Sequence, residues 1–168
     1  MKQLSTKTLS TLALLIALEI ILSRFLSLSA WNTKIGFSFV PVAAAAILFG
    51  PLSAGIVAAL ADLLGALLFP IGPYFPGFTL TAFLTGLVFG LFLHNSQSFL
   101  RILAAVLINQ LLLSLLLNSY WISLLYGSPY APLLVTRLLQ CGVLAAVQLA
   151  LIPALAKLLE RIRGSLCI

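Results

Sequence analysis

The chain has 168 residues, of which 62% are hydrophobic and only 7% charged, with a mean hydropathy of +1.23. Soluble domains carry roughly 25% charged residues, so water cannot solvate this surface. The chain is predicted to be one integral membrane domain over residues 1–168, with five or six spans and no room for a soluble domain. The net charge of +6 therefore does not point to nucleic acid, because Lys and Arg gather on the cytoplasmic side of membrane proteins. Cys141 and Cys167 show neither metal-ligand spacing nor a disulfide framework.

Taken in order, a polar start with Lys2 and Lys7 leads into a first span over about 9–28. A signal peptide would begin alike, but Glu19 and Arg24 are poor residues for its apolar stretch. A polar loop over 29–37 follows, with Trp31, Asn32, Lys34 and Gly36. The second span, 38–49, is short and Ala-rich. Twelve helical residues cover only about 18 Å, so it is expected to start in the preceding loop or to sit among other helices rather than in lipid. Gly50-Pro51 is a sharp turn before the third span, 52–69. A tight Gly/Pro/aromatic loop, Ile71 to Gly77, leads to the fourth, 78–93. The fifth covers about 99–120, an aromatic loop runs from Trp121 to Pro132, and the sixth covers 133–159 with Pro153 expected to kink or break it.

Six spans put both termini on one side, with Lys2, Lys7, Arg101, Lys157, Arg161 and Arg163; the other side has Arg24, Lys34 and Arg137. Six cations against three predict that both termini are cytoplasmic, and the three outer cations then need a reason. Arg24, Asp62 and Arg137 all fall inside spans, where a charge costs about 2.5–3.5 kcal/mol on insertion scales and faces a partner or a cavity. Two readings stay open: an internal ion pair of Asp62 with Arg24 or Arg137, or a site for a flat anionic ligand. The second is favoured because the outer loops add Trp31, Phe37, Tyr74, Phe75, Phe78, Tyr120, Trp121, Tyr126 and Tyr130.

The fifth span carries Gln110, Ser114 and Asn118 four residues apart, and so on one α-helical face turned inward, away from lipid. Interhelical hydrogen bonding explains that stripe equally well. Gln140 lies one turn from Arg137 and can share its cavity. Glu19, Asn109 and Gln148 read better as structural hydrogen-bonding residues. Gly86 and Gly90 form a small-residue pair suited to close helix packing. His94 reads as a helix-end residue. No nucleophile with a base, no metal cluster and no phosphate-binding Gly-rich loop followed by Lys is present. The chain is not expected to be an enzyme or to hydrolyse ATP, and a structural bundle remains the bland alternative.

The stretches LEIILSRFLS (18–27), NTKIGFSFVP (32–41) and, most specifically, the run from Ala61 to Leu84 resemble the folate-specific substrate-binding subunit, or S component, of energy-coupling factor (ECF) vitamin transporters. The resemblance covers about Leu9 to Arg161. It implies an all-α, six-transmembrane-helix S-component bundle with both termini inside, a short second helix and structured extracellular loops. It implies a folate-binding cell-membrane subunit of prokaryotic type, docked on a T component and two ATPases, with no cofactor of its own and ATP used only by those partners. The pair Ala13 and Ala17 matches the family's docking motif on the first helix. The expected substrate-binding residues are Arg24, Trp31, Asn32, Lys34, Phe37, Asp62, Tyr74, Phe75, Phe78, Thr79, Gln110, Asn118, Arg137 and Gln140. Their chemistry suits folate: a carboxylate or side-chain amide can accept the pterin's adjacent N–H groups, aromatic rings can sandwich the ring system, and a cation can take the glutamate tail. The alternative is an S component for another vitamin, such as thiamine or a pterin-like compound.

Overall fold

A computed structural model describes residues 6–30, 33–70 and 72–166. Trp31 and Asn32, two expected site residues, lie outside the described residues, and so does the side chain of Lys34. Six helices run alternately along the bundle: α1 Thr6–Arg24, α2 Phe39–Phe49, α3 Pro51–Leu68, α4 Pro76–Leu93, α5 Phe99–Tyr126 and α6 Tyr130–Leu166. All but α2 are long and apolar enough to cross a membrane. Residues Ile108–Leu117 of α5 are a π-helix.

The first span is shorter than expected. It ends at Arg24, because Ser27–Ala30 (β1) pairs antiparallel with Thr33–Gly36 (β2), Ser27 opposite Gly36 and Ala30 opposite Thr33. Polar Ser and Thr side chains favour neither a helix interior nor lipid, and the hairpin satisfies the backbone groups that a loop would leave to solvent. Helix α2 sits inside the bundle, with Phe39 and Pro41 to Ile47 buried. An 11-residue element cannot span the bilayer, so it is stable there only because other helices enclose it.

Two further boundaries differ from expectation. Trp121 to Tyr126 continue α5 rather than forming a loop, since neither Gly nor Pro occurs before Gly127. That residue ends the helix in the left-handed conformation, φ 64°. Helix α6 starts three residues earlier than expected, at Tyr130, and runs unbroken through Pro153. Within a bundle, neighbouring helices tolerate the proline.

Helices α3 and α4 make the closest pair. A Cβ added to Gly86 would fall on the Ala54 carbonyl, and one added to Gly90 on the Pro51 backbone. Both obstacles are main chain and cannot rotate away, so the helices touch only because these residues are glycine. A Cβ added to Gly142 of α6 would meet nothing within 4 Å. We expect Gly86→Ala and Gly90→Ala each to cost about 1–3 kcal/mol by overpacking and to lower the melting temperature of the detergent-solubilised protein. Gly142→Ala should leave it unchanged or raise it. Thermal unfolding of the three variants side by side checks this.

Candidate ligand-binding site

The bundle encloses a cavity of about 570 Å³ whose lining comes from all six helices, from Gly36 of β2 and from the α3–α4 loop. Arg24 reaches it from the last position of α1, Asp62 from α3, and Tyr74 and Phe75 from the loop. Phe78 lines it from α4, Gln110 and Asn118 from α5, and Arg137 and Gln140 from α6. Nine of the expected residues therefore share one hollow. Two do not: Phe37 is 47% exposed in the bend after β2, and Phe39, the first residue of α2, faces the cavity in its place. Thr79 stands behind the wall.

Thr79 nevertheless acts on the lining. Its Oγ1 donates to Asp62 Oδ2 at 2.8 Å. Its own acceptor lone pair then faces the Tyr74 hydroxyl at 3.1 Å, so the tyrosine is the donor of that second bond. The loop, the first turn of α4 and the carboxylate of α3 are thereby tied into one chain. Asp62 Oδ1 receives no hydrogen bond from a described residue.

No ion pair joins Arg24, Asp62 and Arg137 among the described residues. The internal-pair reading of these charges is therefore not what the fold builds. Arg137 is 5% exposed; among the described residues it donates only to the Ser114 carbonyl, from Nη2 at 3.3 Å, and its Nε meets no acceptor. Arg24 lies across Gly65, where an added Cβ would come within 2.9 Å of Nε and 3.3 Å of Nη2. Arg24 Nε also lacks an acceptor among the described residues. Gln110 Oε1, Asn118 Oδ1, Gln148 Oε1 and both amide atoms of Asn109 are buried without a protein partner among the described residues. Each such group costs about 1–3 kcal/mol when left unsatisfied. A stripe meant for helix-to-helix bonds would have found those bonds, so the lining is built to meet something polar.

Beside these groups stands an aromatic cluster. Phe75 packs edge-on against Phe78 at 6.1 Å and tilted against Trp121 at 5.5 Å. The Trp121 indole donates from Nε1 to Thr81 Oγ1 at 3.1 Å, and Thr81 donates in turn to the Gly77 carbonyl at 2.9 Å. A Cβ on Gly77 would lie 2.7 Å from the indole, so glycine there admits the ring.

Sequence reasoning passed over Glu19, Asn109 and Gln148, all of which line the cavity. For Gln148 a signal existed: Arg137, Gln140, Leu144 and Gln148 recur at helical spacing on one face of α6. Glu19 similarly lies four residues before Ser23 on α1, and both face the hollow. Among the described residues, no group of three or more His, Cys, Asp or Glu side chains is placed to hold a metal ion.

A family model described as ECF transporter, substrate-specific component, matches residues 7–156. The folate transporter FolT of Clostridium novyi (strain NT) is 41% identical over 152 residues, covering 90% of this chain and 88% of that protein. Among solved structures, FolT bound with folic acid superposes with a TM-score of 0.87 at 36% identity, covering 92% of this chain and 97% of that one. The S component of a bacterial ECF transporter gives 0.65 at 25% identity, covering 92% and 98%. With its long apolar helices and polar central hollow, the chain is a membrane protein that belongs to the family of ECF transporter substrate-specific components.

Proposed function

We propose that the chain is the folate-binding subunit of an ECF-type transporter in the cell membrane. It captures folate with high affinity on the outside and delivers it inward when docked on a T component carrying two ATPases. The observation that carries this reading is a single cavity in which two guanidinium groups without a carboxylate partner among the described residues, a carboxylate held by Thr79 and an aromatic loop converge. The 41% identity to a folate transporter supports it. Folate matches each part: N–H groups for Asp62, a flat ring system for the aromatic side chains, and two carboxylates for the cations.

The chain performs no chemistry on its ligand and holds no cofactor in this reading; ATP is spent by the partners. The positive residues at the ends of the termini set both termini inside, so the α3–α4 loop and the β1–β2 hairpin face outward. Ala13 and Ala17 are exposed on α1, and a flat small-residue face of this kind lets another helix approach closely. They are the docking positions in this reading.

Three outcomes test it. Arg24→Ala and Asp62→Asn should each weaken folate binding by roughly 10- to 100-fold, the range for losing a charge-assisted hydrogen bond, while the protein still inserts and purifies as a single species. Calorimetric titration with folate measures this, with thiamine as the competitor that should fail to displace it. Unchanged affinity in both variants would remove these residues from the site.

Gly65→Ala should also weaken folate binding, with little effect on melting temperature. The added methyl group comes nearest to the movable end of Arg24, its three shortest contacts all being to the guanidinium, so it shifts that group rather than the helix. Pteroate, which lacks the glutamate, separates the roles: if Arg24 takes the tail, both Gly65→Ala and Arg24→Ala leave pteroate affinity unchanged.

Ala13→Leu together with Ala17→Leu should leave folate affinity intact and abolish copurification with the T component and uptake by cells. Normal uptake by that double variant would place docking elsewhere.

A further inference from the structure

Six residues of α5 line the cavity: Asn109, Gln110, Ser114, Asn118, Ile122 and Tyr126. Their four-residue spacing does not suit an α-helix over this distance. Each α-helical residue advances about 100°, so every four-residue step drifts forward by about 40° and the six would spread over roughly 260°. Gln110 and Tyr126 would then face nearly opposite ways.

The π segment removes the drift. Hydrogen bonding to the fifth residue back widens each turn to about 4.4 residues, so a residue advances only about 82° and a four-residue step falls short of a full turn by about 30°. The steps from Gln110 to Ser114 and on to Asn118 lie within or at the end of Ile108–Leu117 and turn backward. The steps from Asn118 to Ile122 and Tyr126 are α-helical and turn forward. The two kinds of step cancel, and all six residues fall within an arc of roughly 100°. The other side of the helix follows the same geometry: Leu111, Leu112, Leu116, Tyr120 and Leu124 are all exposed, along one opposite stripe. Both stripes are straight only with the π register.

Asn109 gains most from this. In an α-helix it would stand about 180° from Asn118, whereas the π advance over Ile108–Leu117 brings the two to within about 20°. Here it is 3% exposed, lines the cavity, and neither Nδ2 nor Oδ1 has a partner among the described residues. A carboxamide with both ends free presents one donor beside one acceptor in a plane.

We propose that the π-helical segment Ile108–Leu117 sets the register of the binding face of α5 and thereby makes Asn109 a recognition residue, whose free donor and acceptor meet a paired acceptor and donor on the edge of a flat heterocyclic ligand. The identification of that ligand's ring as the pterin of folate rests on the function proposed above; the register does not.

Two experiments decide it. Asn109→Leu keeps the side-chain size and removes both polar atoms. Folate affinity should fall by roughly 10- to 100-fold, while the melting temperature of the ligand-free protein stays level or rises, because an unpaired buried amide is gone. Unchanged affinity, or a lowered melting temperature with affinity intact, would make Asn109 an interhelical bonding residue and overturn its assignment. For the register, single cysteines are placed at Gln110, Asn118, Tyr126, Leu112 and Leu116 in a chain carrying Cys141→Ala and Cys167→Ser. The liposome-reconstituted variants are treated with a charged methanethiosulfonate.

Gln110→Cys, Asn118→Cys and Tyr126→Cys should react, with folate slowing all three, and Leu112→Cys and Leu116→Cys should stay unreactive. Reaction at Gln110→Cys with none at Tyr126→Cys, or reaction at Leu112→Cys, would overturn the register. The pattern without ligand stands on its own, so a failure of folate to protect any position counts against the folate reading and not against the π register.

Discussion

A guanidinium in the apolar slab of a membrane is costly, and the rest of the fold is arranged around having two of them without a carboxylate partner among the described residues. Among the described residues Arg137 donates to one main-chain carbonyl, that of Ser114, and Arg24 fills the space left over Gly65. Neutralising either with Asp62 would have been the cheap solution, since breaking up a buried pair leaves uncompensated charge. Instead Asp62 is turned to Thr79. Keeping opposite charges apart inside one hollow is tolerable only where water or a ligand supplies the missing partners, and it is the arrangement expected of a functional membrane site rather than of a packed bundle.

Separation of those charges depends on how closely α3 and α4 approach. Thr79 belongs to the first turn of α4 and Asp62 to the middle of α3, and their 2.8 Å bond spans the two helices. Lower in the same pair, Gly86 lies against Ala54 and Gly90 against Pro51 with no space for a methyl group. Any side chain there would push the axes apart and stretch the Thr79–Asp62 bond beyond hydrogen-bonding range. The glycines are far from the ligand groups, yet they set the distance on which the carboxylate's orientation rests. Tyr74 then extends the same chain into the loop, so that packing, carboxylate and rim are coupled through consecutive short-range contacts.

Hydropathy made the six helices legible, and length limited the short, Ala-rich second element to an earlier start in the preceding loop or a place among other helices, of which the fold builds the second. The β1–β2 hairpin was not legible, because four-residue strands rich in Ser and Thr have too little apolar alternation to stand out from a polar loop. The end of α5 was misplaced for a related reason: Trp121 and Tyr126 suggested a membrane-interface loop, although only Gly127 breaks the backbone. At the site, the inward stripe of Gln110 and Asn118 was visible because four-residue spacing approximates one helix turn. Asn109 was not, because its place in the lining depends on a π-helical advance that no residue type announces. Phe37 and Phe39 show the opposite limit: two aromatic residues two positions apart, where a bend decides which one turns inward.

The distribution of charge also narrows the ligand. A simple dianion would satisfy Arg24 and Arg137 and leave the Asp62 oxygen facing it, a like-charge contact that costs affinity. A cationic vitamin such as thiamine would satisfy Asp62 and leave both guanidinium groups beside a positive charge. A molecule with a neutral donor edge at one end, carboxylates at the other and a flat apolar middle has no such conflict. In the binding mode proposed above, Asp62 would accept from the edge, the aromatic side chains of the α3–α4 loop would cover the middle, and the cations would take the acid groups. Because each mismatched ligand leaves at least one charge in the hollow uncompensated, discrimination comes as much from what the cavity penalises as from what it binds. The same unpaired groups that make the empty bundle less stable are thus the source of its selectivity.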